Sequence, residues 1–141
     1  MVFAPPEERF GTVRNWMTRE PATVGEDCPL SSVLDRMRTG EIRHLLVNDG
    51  VRLCGIVSNR DVRRLATTAV GAPLLAEPVS RIMTENPVTV APGEAVTVAA
   101  RLLLELKIGA LPVRDGEDIV GIFTTSDALE ALLAMLEPAR A

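Results

Sequence analysis

The sequence is poor in the side chains on which most catalytic and metal sites depend. Its 141 residues include one histidine, two cysteines, one tryptophan and no tyrosine. Cys28 and Cys54 lack metal-ligand spacing, which leaves few ligands for a transition metal. There is also no Ser-His-Asp order and no glycine-rich phosphate loop. We therefore expect no enzyme activity, no catalytic residue, no metal and no required cofactor.

Long apolar stretches are missing as well. No uninterrupted run approaches the roughly 18 residues that cross a membrane. The first ten residues contain Glu7 and Glu8 and no apolar core, unlike a signal peptide. With a net charge of −4, a pI of about 5.0 and no continuous basic patch, nucleic acid is an unsuitable partner. We expect a cytoplasmic protein without a nucleic-acid or membrane partner.

The charge is unevenly distributed along the chain. Residues 12–66 contain nine arginines and seven acids, whereas residues 82–136 contain three basic residues and eight acids. An anionic ligand is therefore favoured near the first half, within the screening length of about 8–10 Å at ordinary salt.

The chain contains an internal duplication with a constant offset of 66 residues and no gap. Met17-Thr18 aligns with Met83-Thr84, and Gly55-Ile56 aligns with Gly121-Ile122. We predict a leader at 1–11, a first repeat at 12–70, a connector at 71–80, a second repeat at 81–137 and a tail at 138–141. The connector is short and fairly apolar, so we expect the halves to pack sheet to sheet about a pseudo-twofold axis.

Each repeat has the pattern β-α-β-β-α. Leu30, Val33, Leu34 and Met37 have the spacing of one helical face, and Gly40 and Gly109 are expected to end the helices. The predicted strands are Ala22–Val24, His44–Val47 and Leu53–Val57, then Val88–Val90, Ala110–Val113 and Ile119–Phe123. The last helices are predicted from about Asn59 to Thr68 and from Thr125 to Leu136.

Two matching stretches end the repeats, Gly55–Asp61 and Gly121–Asp127. In each, a hydroxyl residue follows a buried strand and a carboxylate follows three positions later: Ser58 with Asp61, and Thr124 with Asp127. This is the spacing of a helix capping box. It also places backbone N–H groups, a hydroxyl and a carboxylate at a helix N-terminus, which suits a polyol or an anion. Capping alone and ligand binding both remain open at this point.

The whole pattern resembles a tandem pair of cystathionine-β-synthase (CBS) domains, also called a Bateman module. The resemblance depends on Met-Thr-x-x-Pro-x-Thr-Val at the start of each copy, on Ile42–Val47 and Ile108–Val113, and on the two glycine-to-aspartate stretches. It covers roughly residues 13–136. It implies an α/β (α+β) fold of two β-α-β-β-α repeats.

The resemblance also implies a function. Such modules bind adenosine-containing ligands (AMP, ADP, ATP or S-adenosylmethionine) in clefts between repeats and regulate a partner protein, here an unknown effector. It assigns the ribose to Ser58, Asp61, Thr124 and Asp127, and phosphate to Arg43, His44 and Arg60. The residues along the base are implied to be Thr23, Val24, Ile42, Thr89, Val90, Ile108, Gly109 and Ala110. The second copy lacks basic residues at the places of Arg43, His44 and Arg60, so two equal sites are not expected.

Apolar helices extend beyond what one small core needs, at residues 95–106 and 129–136. We expect a homodimer formed through them or through their first-repeat counterparts. Three function classes follow: a nucleotide-sensing regulatory module, a ligand-free dimeric scaffold, and, least supported by the residues, an enzyme.

Overall fold

The computed structural model describes residues 10–66 and 74–137. Most of the expected leader, part of the connector and the expected tail lie outside these residues. The elements follow one another as α1 (Val13–Trp16), β1 (Thr18–Arg19), β2 (Thr23–Gly25), α2 (Leu30–Gly40), β3 (His44–Asn48), β4 (Leu53–Ser58), α3 (Asn59–Ala66), a 3₁₀ turn (Val79–Arg81), β5 (Thr84–Glu85), α4 (Val96–Leu106), β6 (Ala110–Asp115), β7 (Asp118–Thr124) and α5 (Thr125–Leu136).

The chain forms two compact units, each with one sheet. The central unit comprises residues 21–87, and the terminal unit comprises the described residues 10–20 and 88–137. The central sheet has the order β2-β3-β4-β5, and the terminal sheet has the order β1-β7-β6. The mixed α and β composition and the duplicated element order are thus confirmed.

The first strand of the second copy was predicted wrongly. Val88–Val90 forms one bridge, in which Val90 lies parallel to Val113, whereas β2 pairs over three residues with β3. In the first copy the N–H of Leu46 donates to the carbonyl of Ala22 at 3.1 Å. The residue 66 positions later is Pro112, which has no N–H, so the equivalent bond to Val88 cannot form.

The Met-Thr segment of each copy joins the sheet of the other copy. Thr18 in β1 lies opposite Ile122 in β7, and Thr84 in β5 lies opposite Ile56 in β4, both antiparallel. The sequence predicted neither two-residue strand. The compact units therefore divide the chain differently from the sequence repeats, because the segment that begins each repeat is exchanged.

Glycine is required where these segments cross the sheets. A Cβ on Gly121 would lie 2.7 Å from Met17 Sδ and 2.8 Å from the Thr18 carbonyl oxygen, and Gly55 meets Met83 and Thr84 in the same way. A backbone atom cannot move aside as a flexible side chain can. The glycine of each stretch thus makes room for the methionine of the exchanged segment.

We predict that Gly121→Ala destabilises the terminal unit by about 1–3 kcal/mol, the usual cost of overpacking. Trp16 is the one tryptophan and packs against the core of this unit, so urea unfolding followed by its fluorescence reports the change. Gly93→Ala is the matched control, since a Cβ there meets nothing within 4 Å. Equal midpoints for the two variants would contradict this explanation of Gly121.

Each unit has its own core beneath its sheet. In the central unit Leu30, Val33 and Met37 of α2 pack with Leu45 and Val57 of the strands, and Leu34 is partly buried against them, as the helical spacing predicted. The helix ends were predicted wrongly. The left-handed residues that terminate α2 and α4 are Glu41 (φ 53°) and Lys107 (φ 56°).

Candidate functional site

Four residues of the terminal unit meet where β6 and β7 lead into α5, and we call Gly109, Ala110, Thr124 and Asp127 the second corner. Thr124 is the N-cap of α5. Its N–H donates to Asp127 Oδ2 at 2.8 Å and its hydroxyl donates to the same oxygen at 3.1 Å. The N–H of Asp127 donates back to Thr124 Oγ1 at 3.3 Å. The predicted capping box is therefore formed, and its carboxylate is only 7% exposed.

The equivalent residues of the central unit are Arg43, His44, Ser58 and Asp61, which we call the first corner. The N–H of Asp61 donates to Ser58 Oγ at 3.2 Å. The side chain of Asp61 is exposed, and within the described residues no hydrogen bond reaches its carboxylate. Two identical spacings thus produce a buried, bonded carboxylate in one unit and an open carboxylate in the other.

Basic side chains surround the open carboxylate. His44 lies opposite Ser58 in the antiparallel pairing of β3 and β4, and the carbonyl of Arg43 accepts from the N–H of Asn59 at 2.7 Å. These contacts fix the end of β3 against the beginning of α3. Arg60 is exposed in the first turn of α3, and across residues 10–66 and 74–137 it makes no hydrogen bond or ion pair with the corner.

The charge state of His44 depends on this corner. Burial lowers the pKa of His44 below its ordinary value of 6.5, Asp61 raises it through its negative charge, and Arg43 lowers it. The net shift is downward, so the folded protein holds His44 neutral at neutral pH more firmly than the unfolded chain does. A bound anion would favour the protonated ring instead.

We predict a pH-dependent stability contribution from His44. Because its folded pKa lies below the unfolded value, acidification protonates the unfolded chain first, and stability falls as the pH drops below about 6.5. In His44→Gln this part of the fall should disappear between about pH 7 and about pH 5. Urea unfolding followed by far-UV circular dichroism measures it. A difference between parent and variant that stays constant over that range would refute the prediction.

The residues that the resemblance placed along the base divide between the two units. Their side chains offer few polar groups: Val24 and Val90 are buried in the two cores, and Ala110 is also buried. Ile42 is half-buried and Ile108 is exposed, while Thr23 is exposed and Thr89 half-buried. The Thr23 carbonyl already accepts from Arg36 at 2.7 Å. Contact with a base from these positions would therefore use mainly backbone groups.

The second corner is fixed in the same way as the first. Ala110 lies opposite Thr124, and the N–H of Thr125 donates to the carbonyl of Gly109 at 3.0 Å. A further residue, Thr18 on β1, donates its hydroxyl to Asp127 Oδ1 at 3.4 Å. Sequence reasoning missed this contact, because the 109 residues between the two positions leave no local signal.

Other kinds of site find little support. Within residues 10–66 and 74–137, no group of three or more His, Cys, Asp or Glu side chains is placed to hold a metal ion. Over the same residues, every helix is too short or too polar to traverse a bilayer.

Comparison with known proteins gives a consistent result. The sequence model of the CBS domain matches residues 13–67 and 79–134. A CBS domain-containing protein of Dictyostelium discoideum is 36% identical over 138 residues, covering 89% of this chain and 94% of that protein. The longer CBS domain-containing protein CBSCBSPB5 of Arabidopsis thaliana is 30% identical over 135 residues, 92% of this chain, which spans 24% of its length.

A solved structure agrees with these relatives. The structure of CBSX2 in complex with AMP, a protein from Arabidopsis thaliana, superposes with a TM-score of 0.76 at 28% identity, covering 89% of this chain and 98% of that one. Two copies of the matched motif, the same order of strands and helices, and relatives along nearly the whole length all agree: this chain belongs to the CBS domain family and carries the domain as a tandem pair.

Proposed function

We propose that the chain is a regulatory module that senses an adenosine-containing ligand at the first corner and signals to a partner protein. The observation that carries this proposal is the exposed carboxylate of Asp61, which has Ser58, His44 and Arg43 around it and the first turn of α3 beneath it. A diol is bound well by a carboxylate, which has two acceptor oxygens. The AMP complex of the similar protein CBSX2 supports the same class of ligand.

The first corner offers a separate group for each part of a nucleotide. In this proposal Asp61 and the Ser58 hydroxyl bind the ribose, and Arg43, His44 and Arg60 bind phosphate. Charge-assisted hydrogen bonds of this kind are about twice as strong as neutral ones. The base lies along the backbone of Ile42 and of the neighbouring strand residues, Thr23 and Val24.

The expected pseudo-twofold packing of the two sheets is part of the proposal. It would form the inter-repeat cleft, and it would bring the second-copy residues of the implied set near the ligand: Thr89, Val90, Ile108, Gly109, Ala110, Thr124 and Asp127. The ligand acts as a signal and leaves the module unchanged, so we propose no catalytic step. The regulated protein is a separate effector.

The direct experiment is a calorimetric titration of the purified chain with AMP, ADP, ATP and S-adenosylmethionine. We expect saturable binding of at least one of them. At 100 times the dissociation constant the ligand should stabilise the fold by about 2.7 kcal/mol, which thermal unfolding also detects. Absence of both heat and melting shift with all four compounds at millimolar levels would contradict the proposal and favour a ligand-free scaffold.

A second proposal concerns self-association, because an apolar face is exposed on the terminal unit. Large apolar side chains on or just after α4 and α5 remain exposed: Val98, Leu104, Leu106, Ile108, Leu129, Leu132, Leu133 and Leu136. Leu104 and Leu136 are 78% and 71% exposed. An apolar surface of this extent is unusual on a monomer.

The partner that fits this face best is the same face of a second copy. The helices of the central unit present polar and mainly cationic exposed side chains, including Asp35, Arg36 and Arg38 on α2 and Arg60 and Arg63 on α3. Apolar side chains placed against these arginines would leave charges desolvated without partners. We therefore propose a twofold dimer in which α4 and α5 meet α4 and α5 of the second copy.

We predict that Leu129→Asp dissociates this dimer. Leu129 is half-exposed in the first half of α5, where the helix dipole tolerates a carboxylate, so the monomer should stay folded. Multi-angle light scattering at tens of micromolar should give a dimer for the parent and a monomer for the variant. Val51→Asp is the control, since Val51 is an exposed apolar residue in a turn of the central unit and should leave the dimer intact. A monomeric parent, or a dimeric Leu129→Asp variant, would overturn the proposal.

A further inference from the structure

The two aspartates differ in how many of their oxygens are already engaged. Asp127 Oδ2 accepts from the N–H and the hydroxyl of Thr124, and Asp127 Oδ1 accepts from the hydroxyl of Thr18. With 7% of its surface exposed, this carboxylate is close to fully desolvated, and its bonds offset that cost. A ribose diol that approached it would have to displace Thr18.

Thr18 belongs to a segment that is tied closely to the terminal unit. The N–H groups of Val13 and Arg14 donate to the carbonyls of Glu94 and Pro92, both at 2.9 Å, and the N–H of Val96 donates to the carbonyl of Gly11 at 3.2 Å. β1 then adds to the edge of β7. Among these backbone contacts, the Thr18–Asp127 hydrogen bond joins the exchanged segment to the helix α5 through side chains.

The equivalent contact is missing from the central unit. Thr84 stands 66 residues after Thr18 and pairs with Ile56 as Thr18 pairs with Ile122. Yet within the part of the chain that is described, the Thr84 hydroxyl makes no hydrogen bond to Asp61, and the Asp61 side chain is exposed. The duplicated motif is therefore closed in one unit and open in the other.

We propose that Asp127 is a positioning residue that anchors the exchanged segment through Thr18, and that Asp61 alone binds a ribose, so that each chain takes one adenosine ligand. The ligand part rests on the proposed function, and the anchor part does not. The proposal assigns different tasks to two aspartates that the sequence motif presents as equivalent.

The anchor is tested without ligand by two double-mutant cycles. Thr18→Val should lower the urea midpoint reported by Trp16 in the parent and should change it little in an Asp127→Ala background, because the bond is then already lost. If Asp127→Ala does not fold, Asp127→Asn takes its place. Thr84→Val with Asp61→Ala, followed by far-UV circular dichroism, is the matched cycle and should be additive. Additive effects of Thr18→Val and Asp127→Ala would overturn the anchor.

The ligand part is tested by titrating AMP into the parent, Asp61→Asn and Asp127→Asn. We expect a stoichiometry of about one per chain, unchanged affinity in Asp127→Asn, and affinity weakened about tenfold or more in Asp61→Asn, which corresponds to the loss of one charge-assisted bond. Two AMP molecules per chain, or equal losses in both variants, would overturn this inference while leaving the proposed function standing. No binding to the parent would contradict the proposed function, and the cycles would still decide the anchor.

Discussion

Replacing Asp61 by Asn should weaken the binding of AMP about tenfold or more while leaving the fold intact. Asparagine keeps the size and one acceptor oxygen, but it loses the charge and the second acceptor. A charge-assisted hydrogen bond contributes roughly 1.5–3 kcal/mol, and a loss of about 1.4 kcal/mol changes the dissociation constant tenfold. Because Asp61 is exposed and only its N–H is bonded to Ser58, the change should alter stability little.

Two controls make this result specific to the ribose. Asp35→Asn removes the same charge from an exposed position on α2 and should leave the affinity for AMP unchanged. The loss in Asp61→Asn should be smaller for 2′-deoxy-AMP, since that ligand already lacks one hydroxyl. Equal affinity of parent and Asp61→Asn for AMP would mean that the carboxylate does not bind the ligand.

Replacing Phe123 by Ala should cost about 3–5 kcal/mol of stability, a large part of the roughly 5–15 kcal/mol that holds a domain folded. Phe123 is fully buried in the core of the terminal unit, where it packs in one cluster with Ala99 and Ala131. The positions 66 residues earlier are Val57, Val33 and Leu65 in the core of the central unit. One large ring has replaced volume that aliphatic side chains supply in the other core.

This exchange of volume means that the terminal core has nothing nearby to fill the space that Phe123→Ala leaves. Urea unfolding followed by the fluorescence of Trp16, which contacts the same cluster, measures the loss. Leu104→Ala removes an apolar side chain from the same unit at a position 78% exposed and should shift the midpoint little. Similar midpoints for the two variants would show that Phe123 does not support this core.

Much of the fold was readable from the sequence because the signals are local or repeated. The helical spacing of Leu30, Val33 and Met37 predicted the buried face of α2, and the hairpin turn at Asp115-Gly116 located β6 and β7. The 66-residue offset made each prediction twice. The wrong predictions came from departures within the repeat, such as Pro112, which removes the N–H that would have completed a strand.

The exchange of segments was beyond the sequence for a different reason. β1 and β5 contain two residues each, and two residues have no periodicity. Their partners lie far along the chain, so no turn signal connects them. Gly55 and Gly121 gave an indirect sign, since a glycine in a strand often marks the close approach of another backbone.

The candidate site was predictable in composition but not in state. The sequence placed Ser58 with Asp61 and Thr124 with Asp127 at equal spacing, and both hydroxyl–amide bonds are formed. Whether a carboxylate is exposed depends on Thr18, which comes from a distant part of the chain. The ligand and the assignments of the individual residues stay predictions.

The most direct test of the central claim is to follow backbone amide resonances of the chain by NMR while AMP is added. The first corner should respond: the amides of Ile42, Arg43, His44 and Ser58–Asp61 should shift in a saturable way, with one dissociation constant. The amides of Thr124–Asp127 should shift far less. No saturable shift at the first corner, or shifts confined to the second, would contradict the claim that Asp61 and its neighbours form the nucleotide site.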